Sequence, residues 1–218
     1  MTTGGRTQVW LGESPPDEEE LLQLSETFQN GFLSQQSITR MMRLWEARSS
    51  LLTAMEHLPT CFCHNDASRR NLMFRQTENG TGETVAIDWA CAGLGKVGQE
   101  IAVTTAMNLF FMEVSAQYAK ELDQKIFAGY SAGLRDAGWE GDLRLARFGY
   151  TVVAALIFGV AFSVLRARSY RFHPARIEAI VGHPVVDIMA QHATVSPFLL
   201  DLGDEALALM PSIQRINE

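Results

Sequence analysis

The chain has 218 residues, 47% of them hydrophobic, enough to bury the core of one ordinary globular domain. Its net charge of −7 argues against a nucleic-acid partner, because binding a phosphate backbone calls for clustered Lys and Arg. The three cysteines are too few and too oddly spaced for a disulfide framework and point to a reducing cytoplasm. Residues 1–14 are polar, carry glycines and lack the apolar core of a secretory signal, so a loose N-terminal end is expected ahead of a single domain over 15–218. Pro15-Pro16-Asp17 followed by three glutamates reads as a helix start, and helices are expected over about 17–29 and 37–58. The second carries an apolar stripe at Ile38, Met41, Met42, Trp45, Leu52 and Met55. A strand at 60–63 follows, then a hairpin pairing 72–75 with 84–88 around an Asn79-Gly80 turn. Everything past residue 98 reads as helix, over about 98–112, 115–137, 142–168, 175–193 and 204–214, with Pro174, Pro184 and Pro197 near boundaries or early turns. The expected class is α+β, mainly α-helical, with a small hairpin.

Between the strand at 60–63 and the hairpin lies His64-Asn65-Asp66-Ala67-Ser68-Arg69-Arg70-Asn71, and the hairpin closes on Val85-Ala86-Ile87-Asp88-Trp89. The first segment is H-x-D-x-x-x-x-N, the form of a kinase catalytic loop; the second puts an aspartate where such enzymes keep a metal ligand. Magnesium on nucleotide phosphates takes hard oxygens and only one or two protein carboxylates. Asn71 and Asp88 suit that task, while Asp66 is placed to orient an incoming hydroxyl and accept its proton. His64 is expected to brace the loop by hydrogen bonding.

On these motifs the chain resembles the aminoglycoside phosphotransferase and choline kinase-like family of small-molecule kinases. That family uses H-G-D-x-x-x-x-N and a downstream I-D-W; here Asn65 replaces the usual glycine, and Ser68-Arg69-Arg70 replaces a run with proline. The resemblance implies transfer of the ATP γ-phosphoryl to the hydroxyl of a small-molecule acceptor, with magnesium at Asn71 and Asp88 and a phosphate contact from Arg69 or Arg70. It also implies a small lobe with a strand lysine ahead of the loop. Yet the lysines are Lys96, Lys120 and Lys125, all downstream. The chain therefore reads as a kinase-like C-terminal large lobe without its nucleotide lobe. Weak ATP binding is expected of it alone, with self-association or a separate small-lobe partner. The rival reading is a non-catalytic, pseudokinase-like binding domain or an inactive fragment.

Other features have plainer readings. Cys61-Phe62-Cys63 suits two side chains on one buried strand face better than zinc, even with His64 and Cys91 near in sequence. Gly93-Leu94-Gly95-Lys96-Val97-Gly98 matches a dinucleotide fingerprint, but no second parallel strand follows. These glycines are expected to form the loop leading from Asp88 into a helix, with Glu100 capping that helix or bracing the catalytic loop. The eighteen uncharged residues from Phe148 to Leu165 approach the length of a membrane span but suit the central helix of a lobe. Glu113, Asp123, Asp136, Glu140 and Asp142 are expected on solvated helix surfaces rather than around a cationic acceptor.

Overall fold

The helical stripe of residues 38–55 organises the fold. In the computed structural model, which describes residues 16–27 and 33–216, helix α1 spans Glu18–Thr27 and α2 spans Gln35–Glu56. The loose end at 1–14, Pro15 and the last two residues of the first expected helix lie outside the described residues. Ile38, Met41, Trp45 and Met55 are buried as the periodicity requires, together with Leu44 and Leu51. Asp17 Oδ1 accepts the Glu20 N–H at the start of α1, and Ser34 Oγ accepts the Ser37 N–H at the start of α2.

Strand β1 (Thr60–Cys63) leads into the H-x-D loop, and β2 (Leu72–Gln76) pairs with β3 (Gly82–Ala86) across the expected Asn-Gly turn, where Gly80 takes φ 77°. The glycine run corrects the loop reading: Gly93–Lys96 is a strand, β4, antiparallel to β1 with Phe62 opposite Leu94. Two glycines in four residues hide its strand propensity, and close packing is what they serve. A Cβ on Gly95 would strike the Cys63 thiol, and one on Gly98, at φ 85°, would strike the Ala146 carbonyl. Both sheets are two-stranded and antiparallel, so no dinucleotide-binding βαβ unit forms among the described residues. Lys96 ends this strand with its ammonium donating to Glu56 O, Leu58 O and Thr60 Oγ1, where it caps the carbonyl end of α2.

The rest is helical: α3 (Glu100–Phe110), α4 (Ala119–Asp136), α5 (Leu143–Val153), a π-helical segment (Ala154–Ala161), α6 (Phe162–Phe172), α7 (Pro174–Val181) and α8 (Val185–Ile216). The apolar run of 148–165 belongs to one continuous helical rod, Leu143–Phe172, the only described helix long and apolar enough to cross a membrane. Its most apolar stretch is 78% buried inside the fold, as a central helix should be. The C-terminal helices depart from expectation. Gly182, at φ 82°, stops α7 early, whereas α8 runs unbroken through Pro197 and Pro211. Proline inside a helix costs about 3 kcal/mol, and the buried face of Val195, Leu199, Leu200, Leu202, Ala206 and Ile213 offsets it.

Asp123 is likewise not a solvated helix residue. It is buried, and the Arg147 guanidinium donates to both of its oxygens at 2.6 and 3.0 Å and to Glu205 at 2.7 Å, joining α4, α5 and α8. Burial works against the Arg147 charge, but the carboxylates of Glu205 and Asp123 more than offset it and raise its pKa. Glu113 pairs with Arg69, and Asp142 caps α5 by accepting the Arg144 N–H at 2.9 Å.

His192 is buried in α8, with Nε2 donating to Phe110 O at 3.1 Å and Nδ1 accepting from the Tyr170 hydroxyl. Burial, and then the charge of Arg166, hold its imidazole down from 6.5 to about 3. The unfolded chain binds a proton below about pH 6.5 that the folded chain refuses until about pH 3, so stability is full above that window and falls as pH drops through it. At about pH 4.5 roughly 2–3 kcal/mol should be lost relative to pH 7 from this group. Urea midpoints at the two pH values measure the loss, and His192→Gln should flatten it. A variant with the same slope as the parent would refute the assignment.

Candidate active site

The peptide of Ile87 is where the two halves of the motif meet. Its N–H donates to Asn71 O at 2.9 Å, and its carbonyl accepts from His64 Nε2 at 2.8 Å. With Nε2 protonated, His64 Nδ1 is the acceptor for the Asp66 N–H at 3.3 Å, so both ring nitrogens serve the loop. The ring is 4% exposed and lies against Trp89, with centroids 4.6 Å apart. His64 thus braces the loop, as the sequence suggests. Among the described residues no three or more His, Cys, Asp or Glu side chains gather to hold a metal.

Asn71 sits at the end of a 3-10 turn, Arg69–Asn71, and its Nδ2 donates to both Asp66 O and Asp66 Oδ2 at 2.9 Å. Those two bonds fix the Asp66 carboxylate plane and leave Asn71 Oδ1 as the uncommitted oxygen of the amide. Asp88 follows Ile87 directly. Its backbone is left-handed (φ 58°, ψ 67°), a conformation worth about 1–2 kcal/mol of strain outside glycine and tolerated best by Asn and Asp. The carboxylate is exposed and makes no capping bond to the 3-10 turn Trp89–Cys91 that it precedes.

Asn65 also has a positive φ, 62°, which explains why an asparagine can stand where the resembled family has glycine. Its side chain then replaces what glycine lacks: Nδ2 donates to Cys91 O at 3.1 Å, and Oδ1 accepts from Gln99 Nε2 at 2.9 Å. Gln99 Oε1 in turn accepts the Lys96 N–H at 2.9 Å. This Asn65–Gln99 bridge has no signature in the sequence beyond an Asn at a turn. Glu100 does what was expected of a brace, accepting the His64 N–H at 2.8 Å, and Thr104 donates to Ala67 O at 2.7 Å.

Arg69 and Arg70 are engaged with the end of α3 and the loop beyond it. The Arg69 guanidinium pairs with Glu113, and that of Arg70 lies 3.8 Å from the Phe111 ring centroid. Cys61 and Cys63 share a strand face with their sulfurs 3.6 Å apart. The hydrogen bond from Cys63 lowers the Cys61 thiol pKa, and that same bond, then burial, raise the pKa of Cys63.

Beside the loop opens a cleft of about 570 Å³, whose lining includes Asn65, Asp66, Gln99 and Glu100. Its apolar lining includes Val103 and Met107 of α3, Ile157 and Phe158 of the π-helical segment, and Phe162 of α6. None of these apolar wall residues was marked out by a motif; only the packing of helices brings them to Asp66.

No curated protein and no solved structure matches the chain significantly. The model of the phosphotransferase enzyme family, APH, matches residues 5–139, which include every motif residue and more than half of the sequence, so the chain belongs to that family.

Proposed function

We propose that the described residues form the acceptor- and metal-bearing lobe of a small-molecule kinase, which transfers the γ-phosphoryl of ATP to a hydroxyl of its acceptor. The observation that carries this reading is the double clamp on Ile87 by His64 and Asn71, with Asn71 also bonded to Asp66, so that the H-x-D-x-x-x-x-N loop and Asp88 form one connected unit. Asp66 borders the cleft with one carboxylate oxygen held by Asn71. The other is available to take a hydroxyl proton as the acceptor oxygen attacks. Asn71 Oδ1 and the Asp88 carboxylate are hard oxygens with no competing partner in the loop, and they fit the needs of magnesium. Magnesium held at Asn71 and Asp88 would neutralise the phosphate charge of ATP, whose γ-phosphoryl would pass to the acceptor oxygen as the bond to the departing ADP oxygen breaks. His64 and Glu100 keep the loop still while this occurs. Phosphate contact by Arg69 or Arg70 would require each to leave Glu113 or Phe111.

One observation favours the second reading, a non-catalytic binding domain or a fragment. Lys96 is committed to the end of α2, Lys125 pairs with Glu121, and Lys120 lies with it on α4, so no lysine is placed as the nucleotide lysine of a small lobe. Titration calorimetry with ATP separates the readings. The kinase-lobe reading expects weak binding that requires magnesium, is reduced about tenfold or more in Asp88→Asn and is unchanged in Asp66→Asn. Equal loss in both variants contradicts the assigned roles. Micromolar affinity with steady ADP release would show that these residues supply the nucleotide site without a further lobe.

A further inference from the structure

The polar groups around the cleft are almost all consumed by the loop itself. Gln99 is divided between the Lys96 N–H and Asn65, Asn65 between Gln99 and the Cys91 carbonyl, and one Glu100 oxygen holds the His64 N–H. What remains for a ligand is chiefly Asp66, which keeps one carboxylate oxygen, because Glu100 is shared between the His64 N–H and the Cys63 thiol. The lining otherwise includes hydrocarbon, thioether and aromatic surface from Val103, Met107, Ile157, Phe158 and Phe162. Phe158 and Phe162 meet with ring centroids 5.2 Å apart at a tilt of 51°. The π-helical turn carries Ile157 and Phe158, and such wide turns recur at functional sites. About 570 Å³ is an ordinary size for a small-molecule site.

We infer that the acceptor is an alcohol or phenol with a bulky apolar body, its hydroxyl at Asp66 and its hydrocarbon or aromatic part against α3 and the π-helical segment. This rests on Asp66 as the residue that receives the hydroxyl. A polycationic amino sugar carries ammonium groups along its whole length, and all but those at the carboxylate end would be stripped of water against hydrocarbon without a partner. An apolar body gains from the same burial at about 25 cal/mol per Å².

The test uses 2-(2-naphthyl)ethanol and kanamycin as probes on the purified full chain, with binding followed by naphthyl fluorescence and by amide chemical shifts. The naphthyl alcohol should bind and shift amides in 100–107 and 153–162. Met107→Glu, which places a charge on the apolar wall, and Val103→Phe, which fills the cleft without charge, should each weaken it about tenfold or more. Circular dichroism shows whether each variant is folded, and either folded variant suffices. Tighter binding of kanamycin, no binding of the naphthyl alcohol, or binding that neither substitution disturbs would overturn the inference. Transfer is scored separately with magnesium-ATP. A naphthyl alcohol that binds in the cleft but is never phosphorylated, even in a form of the protein with a nucleotide-covering lobe, would uphold the ligand class while removing the kinase reading.

Discussion

Asparagine in place of Asp66 is expected to lower kcat by about 10²–10⁴-fold in any form of the protein that transfers phosphate, the usual worth of a positioned general base. The substitution is nearly isosteric. Its amide oxygen can still accept from Asn71 Nδ2, which bonds Asp66 Oδ2 at 2.9 Å in the parent, so the loop should keep its shape. What the variant loses is the carboxylate that takes the acceptor's proton. The loss should therefore fall on kcat, with KM for ATP nearly unchanged, because the proposed role of Asp66, which borders the cleft, is toward the acceptor and not the nucleotide. Steady-state kinetics with ADP release as the readout check this. A variant that kept full kcat, or lost activity only through a raised KM for ATP, would remove Asp66 from its role.

Arg147→Met should destabilise the fold by about 3–5 kcal/mol, the range for breaking a buried ion pair from one side. The guanidinium is held between Asp123 and Glu205, and it also lies 5.1–5.2 Å from the ring centroids of Tyr150 and Phe127. Methionine keeps much of the packing volume but leaves Asp123 buried without its cation. Asp123→Asn in the Arg147→Met background should restore part of the loss, since the orphaned charge is then gone. Urea denaturation of the two variants and the parent gives the comparison. A loss within about 1 kcal/mol for Arg147→Met would mean that the network behaves as a surface pair.

The bonded motif loop was legible in the sequence because it is local. His64, Asp66 and Asn71 lie within eight residues and Ile87 one hairpin later, so their bonding follows from a tight loop and an Asn-Gly turn. Helix α1 was legible from its proline and acidic start, α2 from its apolar stripe and the central rod from its uncharged run, each a property of one segment taken alone. Membership of the phosphotransferase family rests on the match over residues 5–139, which contain these residues.

Tertiary packing decided the rest. Gly93–Lys96 became a strand because β1 offers it an edge and because Gly98 and Gly149 let the turn after it touch the backbone of α5, preferences that no single-segment pattern records. Two prolines stayed inside α8 because its buried face outweighs their local cost. Asp123 became a buried partner of Arg147 for the same kind of reason, since the residues that neutralise each other lie 24 and 58 positions apart. The cleft beside Asp66 is the clearest case. Its walls come from 103–107 and 153–162, segments that look like plain core helix in the sequence, and only the docking of α3 against the π-helical segment turns their apolar side chains toward Asp66.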